Sequence, residues 1–430
     1  MESDSDLGAN QSDLRVNQGD LSANRVVNRK DLGANLNVNR DDLSANLGAN
    51  HKDLNANPNA NPPHTSHTKS YIFPLFNRAF HFILILSFAG AFAFAQFSST
   101  AYLHAFCGLI FFIAVILRII CGFVGTKYSR FCDFNFSGVI AYLRSIRGEK
   151  LHFISHNPAS SWAIMFMLII GFLLGASGLL LWGANEQMGI FARVYLGDIG
   201  GIHNIFAYVI LAIIIVHICG ALIDKFYNKF DSIDSMICGF KKTQKYESIT
   251  ITRTQKVCCA LSFALVLLLV AYLIYPQNAI LKSQITPKFA LDSAYSTYKN
   301  ECASCHIGYA PYLLPQESYV KMMANLENHF GDDASFDDTD EVLGFFLRHS
   351  SQNYGNRFRA HLARENSDEM AISNRAFFKT AHKSVPQELF KSEAIKSKAN
   401  CNACHKDAEM GLLGKSNIDF AKIATLKERL

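Results

Sequence analysis

Between Gly200 and Ile223 runs an apolar stretch long enough to cross a bilayer, and it carries two histidines, His203 and His217. They are fourteen residues apart, which at 100° per residue falls only ~40° short of four full turns. Both imidazoles therefore leave one face of a helix, ~21 Å apart along its axis. An ionisable side chain inside an apolar span is costly and is by default a functional group with a partner to be found. The competing reading is a pair of interfacial histidines, and it weakens once other apolar spans supply histidines at matching depths.

Four other stretches come close to the ~20 residues that cross a bilayer. They are Tyr71 to Phe97 with His81 near its start, Tyr102 to Val124 with His104 near its start, Ser161 to Trp182 with no histidine, and Val257 to Tyr275. The first begins too far from Met1 for a cleaved secretory signal and is expected to stay as an anchor. Between spans two and three lie Lys127, Arg130, Arg144, Arg147 and Lys150 against only Asp133 and Glu149. Between spans four and five lie Lys225, Lys229, Lys241, Lys242, Lys245, Arg253 and Lys256. The loop joining spans one and two has no Lys or Arg, and the segment from Gly183 to Gly201 has only Arg193. Excess Lys and Arg marks the cytoplasmic side. The N-terminus is expected inside and everything after Pro276 outside, as in a multi-pass protein of a bacterial inner membrane.

This topology decides which histidines can meet: His104 with His203 near the outer face, and His81 with His217 near the inner. Two opposed imidazoles at one depth in a helix bundle suit a six-coordinate haem iron with the macrocycle filling apolar space. Zinc or copper would want three or four converging ligands. The expectation is two non-covalent b-type haems. Gly90, Gly108, Gly175, Gly178 and Gly220 offer room for the rings or, equally, close helix packing.

Half of the chain is hydrophobic and only 18% is charged, with the apolar residues bunched, so it reads as a membrane protein with soluble appendages. A net charge of +5, with the basic residues beside the spans, gives no case for nucleic acid. Residues 1–68 repeat variants of Asp-Leu-Gly/Ser-Ala-Asn from Asp6, Asp13, Asp20, Asp31, Asp42 and Asp53. One Leu per repeat among Asn, Gly and Asp cannot bury a core, so a disordered cytoplasmic tail is expected. A pentapeptide β-helix would need a strict period of five, which is absent.

Residues 276–430 are polar and expected to be mostly helical, for instance from Thr339 to Arg348, where Asp338 and Glu341 suit a capping box. This region holds Cys302-Ala303-Ser304-Cys305-His306 and Cys401-Asn402-Ala403-Cys404-His405. In CxxCH the two thiols form thioethers with haem vinyl groups and the adjacent imidazole ligates iron. Structural zinc is the rival, but the pairs are 99 residues apart and the trailing His306 and His405 would go unexplained. Two covalent c-type haems are expected. For the distal side of each iron the candidates are His329, His349, His361 and His382, or Met322, Met323, Met370 and Met410. The remaining seven of the eleven cysteines (Cys107, Cys121, Cys132, Cys219, Cys238, Cys258 and Cys259) lie in or beside the spans and read as small packing residues.

Several of these residues carry a resemblance. The run from Leu103 to Arg118, the pattern Gly122, Gly125, Tyr128, Arg130, Phe131 after it, His156-Asn157-Pro158, and the His203 to His217 spacing resemble the membrane cytochrome b family that includes the cytochrome b subunits of nickel-iron hydrogenases and bacterial di-haem cytochromes b. Phe82 departs from it, since a Trp often follows the first histidine there. The stretches from Cys302 to Tyr319, Leu326 to Ser335 and Cys401 to Glu409 resemble the small di-haem cytochrome c family. That resemblance implies bis-histidine ligation and maps one distal ligand onto His329, with a weaker match at His382. It leaves His349 and His361 as surface residues.

The expected architecture is all-α: a four-helix transmembrane di-haem bundle with a fifth anchoring helix over residues 69–275, then a small, mostly helical periplasmic di-haem c domain over 276–430. The expected function is one-electron transfer between a quinone and a periplasmic redox protein or c-type cytochrome. Arg118, His152 and His156 beside the inner pair are candidates for a quinone site, for propionate partners or for interfacial anchors. Alternatives are an electron-wire or anchor subunit of a separate periplasmic dehydrogenase such as a hydrogenase, and a haem sensor or scavenger of superoxide or related oxygen species.

Overall fold

The computed structural model describes residues 68–428 apart from 147, 149–152, 195, 197–198, 244–245, 284–285 and 355–364. The repeat-bearing segment before Thr68, together with Arg147, Lys150, His152, Lys245 and His361, lies outside the described residues.

Among the described residues, five helices are long and apolar enough to span a membrane. In chain order, α1 is Leu75–Phe94, α2 Ala101–Val124, α3 the short Val139–Ser145, α4 Pro158–Glu186, α5 Gly200–Leu222, α6 Ser232–Cys238 and α7 Arg253–Ile274. Helix is the form an apolar run takes in lipid, because it satisfies every backbone polar group within the segment. Local chemistry sets the ends. Asn157 caps α4 by accepting from Ser160 N at 2.7 Å, with Pro158 at the first helical position, and α4 closes on Gln187 in the left-handed conformation (φ 55°). Helix α7 opens with a reciprocal capping box between Thr252 and Gln255. Helix α5 runs on as a π turn over Ile223–Tyr227, which carries Asp224 into a buried position.

Phe111 and Val115 of α2, Leu168 and Leu174 of α4 and Ile210 of α5 form the central membrane core. Phe80, Leu117 and Val266 tie α1, α2 and α7 together, which makes α7 a flanking anchor. Two short strands, β1 (Thr68–Tyr71) and β2 (Phe240–Thr243), pair antiparallel on the cytoplasmic side, with Thr68 opposite Thr243. This ribbon is a departure from the purely helical expectation, and Thr68 belongs to it rather than to the tail. Among the seven membrane-segment cysteines, Cys132, Cys219, Cys238 and Cys258 are exposed rather than packed.

The C-terminal region has two small cores, one for each CxxCH motif. Around the first, α8 (Tyr295–Cys302), α9 (Gln316–Met323) and α10 (Thr339–His349) enclose Phe289, Tyr298, Tyr312 and Phe345. Around the second, α11 (Ala376–Ala381), α12 (Gln387–Phe390) and the final α13 (Phe420–Glu428) flank Phe378, Leu389, Phe390 and Ile395. Helix α10 lies where the sequence placed it, but the capping box is absent. Asp338 has φ −88° and ψ 39° and makes no side-chain cap bond, because a cap needs an extended residue there.

Candidate metal-ligating centres

Three histidine pairs stand at one separation. His104 of α2 and His203 of α5 have ring centroids 6.3 Å apart with planes at 88°. His306 and His329 are 6.3 Å apart at 31°, and His382 and His405 are 6.2 Å apart at 81°. A metal-bound imidazole nitrogen lies about 2 Å from the ion and about 1.1 Å from its own ring centre, so two rings ligating one ion from opposite sides stand about 6.2 Å apart. The residues therefore fit a bis-histidine iron. Among the described residues no group of three or more His, Cys, Asp or Glu converges as a metal site, so a small closed zinc or copper centre has no ligand set there.

The hydrogen bonds behind the rings fix which nitrogen faces the partner. His104 Nδ1 lies 2.7 Å from Ala91 O, a carbonyl that can only accept, so Nδ1 carries the proton. His203 Nδ1 lies 3.0 Å from Ser177 Oγ, whose own proton goes to Leu174 O at 3.0 Å, so Nδ1–H donates to Ser177. In both residues Nε2 keeps the lone pair that a metal needs, in the outer-shell arrangement common to ligating imidazoles. Gly178 is part of the site, since a Cβ there would stand 3.0 Å from His203 Cε1. The other glycines differ. Gly175 is filled by Phe112 and Gly90 faces Cys107, both as close helix packing, while Gly108 and Gly220 have open space beside them.

The remaining membrane histidines, His81 of α1 and His217 of α5, lie close enough to interact electrostatically. Beside them the cytoplasmic end holds a buried polar set. Arg118 of α2 lies over the Phe131 ring at 5.8 Å, and its buried Nη1 makes no hydrogen bond. His156 packs on Phe134 at 4.7 Å, with Nδ1 2.8 Å from Ser155 Oγ. Burial, reinforced by Arg118, Lys241 and His217, lowers the His156 pKa to about 3, so its imidazole is neutral. Buried Asp224 accepts from Tyr142 Oη and Asn228 Nδ2, each at 3.0 Å, and from Asn157 Nδ2 at 3.2 Å. Burial and that carboxylate push the Tyr142 hydroxyl well above its ordinary range. Asp224 lies seven residues beyond His217, about two turns along the same helix face, and the sequence reading missed it by ending the span at Ile223.

In the C-terminal region His382 Nδ1 donates to Phe378 O at 2.9 Å and its ring stacks on Phe378 at 4.1 Å. His306 Nδ1 donates to Ile307 O at 2.7 Å. His329 is held by a two-way backbone pairing with Asp332. Burial, then the facing His382, lowers His405 to about 4, and burial also lowers His329 and His382, which keeps these imidazoles in the neutral, ligating form. His349 is not a surface residue. It is half-buried, with Nε2 donating to Asp292 Oδ2 at 2.8 Å.

Residues 72–239 match the family described as prokaryotic cytochrome b561, and residues 298–413 match the family described as dihaem cytochrome c. Among solved structures the chain is similar to the dihaem cytochrome c of Shewanella baltica, at 28% identity over 30% of this chain and 95% of that one, with a TM-score of 0.26. It is also similar to two structures of dihaem cytochrome c from Rhodobacter sphaeroides. The first is 31% identical over 27% of this chain and 96% of that one, TM-score 0.23. The second is 32% identical over 27% and 95%, TM-score 0.25. No curated protein matches the chain.

Proposed function

Since the chain joins a prokaryotic cytochrome b561-type domain in the inner membrane to a periplasmic dihaem cytochrome c domain and serves electron transfer from membrane to periplasm through b- and c-type haems, we propose that it is a quinol:cytochrome c-type oxidoreductase. In this reading His104 with His203, and His81 with His217, hold two b-type haems. Cys302, Cys305 and His306 with His329, and Cys401, Cys404 and His405 with His382, hold two c-type haems. When bound, these groups supply one-electron chemistry at potentials tuned by ligand, burial and hydrogen bonding.

The observation that carries the quinol reading is the buried polar set at the cytoplasmic end. Arg118 offers a cationic donor whose Nη1 is buried without a partner, which suits a quinone oxygen or a propionate. His156 Nδ1 is held 2.8 Å from Ser155 Oγ, and the tautomer in which Nδ1–H donates there leaves Nε2 to accept a quinol hydroxyl proton. Asp224, Tyr142 and Asn157 form a hydrogen-bonded set close by that can relay such a proton. The chain's own acceptor domain is bonded to α4 through Glu186 and Ser416, which disfavours an anchor subunit dependent on a detachable dehydrogenase.

The test is stopped-flow reduction of the purified full-length protein by a short-chain quinol. Wild type should show b-type absorbance reduced before c-type, with covalent and non-covalent haem in equal amounts. His156→Ala should slow reduction of all the haems together while haem content stays unchanged. Reduction at the wild-type rate in that variant would place the quinol site elsewhere.

A further inference from the structure

The two C-terminal centres differ in what they touch. Lys415–Asn417 packs against Ser98–Thr100, against the start of α2 and against the end of α4. Glu186 at that end of α4 is buried at 5% exposure and accepts from Ser416 N at 2.8 Å and Ser416 Oγ at 2.6 Å. The approach is so close that a Cβ on Gly414 would stand 2.2 Å from Glu186 Oε2. The same segment is laced to the second CxxCH motif: Lys406 N donates to Asn417 O, Asp419 N to Cys404 O, and His405 is bridged to Ile418. On its membrane side it meets the turn that leads into α2, where His104 follows Thr100 by four residues. The first centre adds a 3.4 Å bond from Tyr312 to Gln187, but Cys305, His306 and the 63%-exposed Phe330 face outward. Between the centres stands Tyr309, with its ring 4.9 Å from His306 and its hydroxyl donating to Ala399 O at 2.7 Å, two residues before Cys401.

We propose that the two c-type centres work in a fixed order. The His405/His382 centre exchanges electrons with the outer membrane pair, His104 and His203. The exposed His306/His329 centre exchanges them with the soluble partner. Glu186 is the positioning residue that holds this order by seating the Ser416 segment. Each transfer oxidises one ferrous iron and reduces one ferric iron, with no bond made and no proton moved. The final oxidant is a soluble one-electron acceptor. The order rests on the haem assignments of the reading above but not on quinol as the electron source.

The full-length protein is reduced with dithionite, freed of excess reductant and mixed with an oxidised basic cytochrome c, and the b- and c-type bands are followed separately. In Cys401→Ala/Cys404→Ala the remaining c-type haem should oxidise at the wild-type rate while the b-type bands stay reduced. In Cys302→Ala/Cys305→Ala the fast phase should be lost from all the bands. Oxidation of the b-type bands at the wild-type rate in the first variant would overturn the order. Because removing a covalent haem can disturb folding, Glu186→Ala, which keeps all four ligand sets, is the second measurement. It should slow b-type oxidation about tenfold or more, the loss expected when two buried hydrogen bonds are removed, and leave c-type oxidation unchanged. Glu186→Gln, which retains an acceptor oxygen, should recover most of the rate. An unchanged b-type rate in Glu186→Ala would remove the positioning role. These outcomes are independent of whether quinol reduces the protein.

Discussion

In the membrane domain His81, His104, His203 and His217 each sit on a long helix, opposite a partner that topology brings to the same depth. In the C-terminal domain one histidine of each pair follows its cysteines directly, and the other comes from a short turn or helix end. Ring separation is nonetheless alike, 6.3 Å for His104 and His203 and 6.2 Å for His382 and His405. The difference lies in what would hold the group if a ligand were lost. In the membrane only the two ring nitrogens and the packing of α1, α2, α4 and α5 are available, whereas two thioethers would remain in the C-terminal domain. Ligand loss should therefore cost cofactor in one region and only coordination in the other.

Replacing His203 by Leu tests this contrast at its strongest. Half of the non-covalent haem should be lost and none of the covalent haem, read by pyridine haemochrome quantitation. Full retention of non-covalent haem would break the comparison. A smaller effect is expected from His329→Met, which should leave both covalent haems attached, alter the spectrum of one iron and raise its potential, since thioether ligation favours the reduced state. An unchanged spectrum would place the distal ligand elsewhere. Smaller again is Gly178→Ala. Its Cβ meets His203 Cε1 at 3.0 Å, so the ring must shift by a few tenths of an ångström, altering the low-spin electron paramagnetic resonance signal of one b-type centre with little loss of haem.

The smallest effect lies outside both sets of ligands, at Asp292, whose carboxyl is held well below the usual carboxylate range by Arg348 and, after it, His349. A depressed folded pKa gives stability that is present above the ordinary value of ~3.9 and is lost as the pH falls below it. Asp292→Asn should therefore lower the melting temperature of the C-terminal domain by a few degrees at pH 7, about 1 kcal/mol for a pair near the surface. The gap between variant and wild type should close on acidification. A gap that widens in acid would reverse the assignment.

Much of this arrangement is legible in the sequence because its period is carried by residues that water and lipid sort cleanly. The spans, the two histidines of α5 and the CxxCH motifs are local patterns. Thr68–Tyr71 and Phe240–Thr243 are illegible as strands because four residues rich in Lys, Ser and Thr show no alternation, and their pairing partner is the only thing that makes them strands. Glu186 reads as an ordinary loop-side acid until Ser416, 230 residues later, covers it. Asp224 is hidden by the π turn that extends α5 beyond the first charged residue. Asp338 and Glu341 show the converse, a capping signature whose backbone takes another path.

The β1–β2 ribbon has a consequence for biogenesis. β1 leads directly into the helix that carries His81, and β2 comes after the helix that carries His217 and the short α6, with Thr68 and Thr243 175 positions apart in sequence. Loop closure over that distance is entropically costly and waits on the intervening helices. While the chain is being made, α1 therefore enters the bilayer with its leading edge unpaired, and that edge gains a partner only after the fourth span has been threaded. The ribbon therefore ties the chain leading into α1 to the chain following α5, at the cytoplasmic end of the two helices that carry His81 and His217.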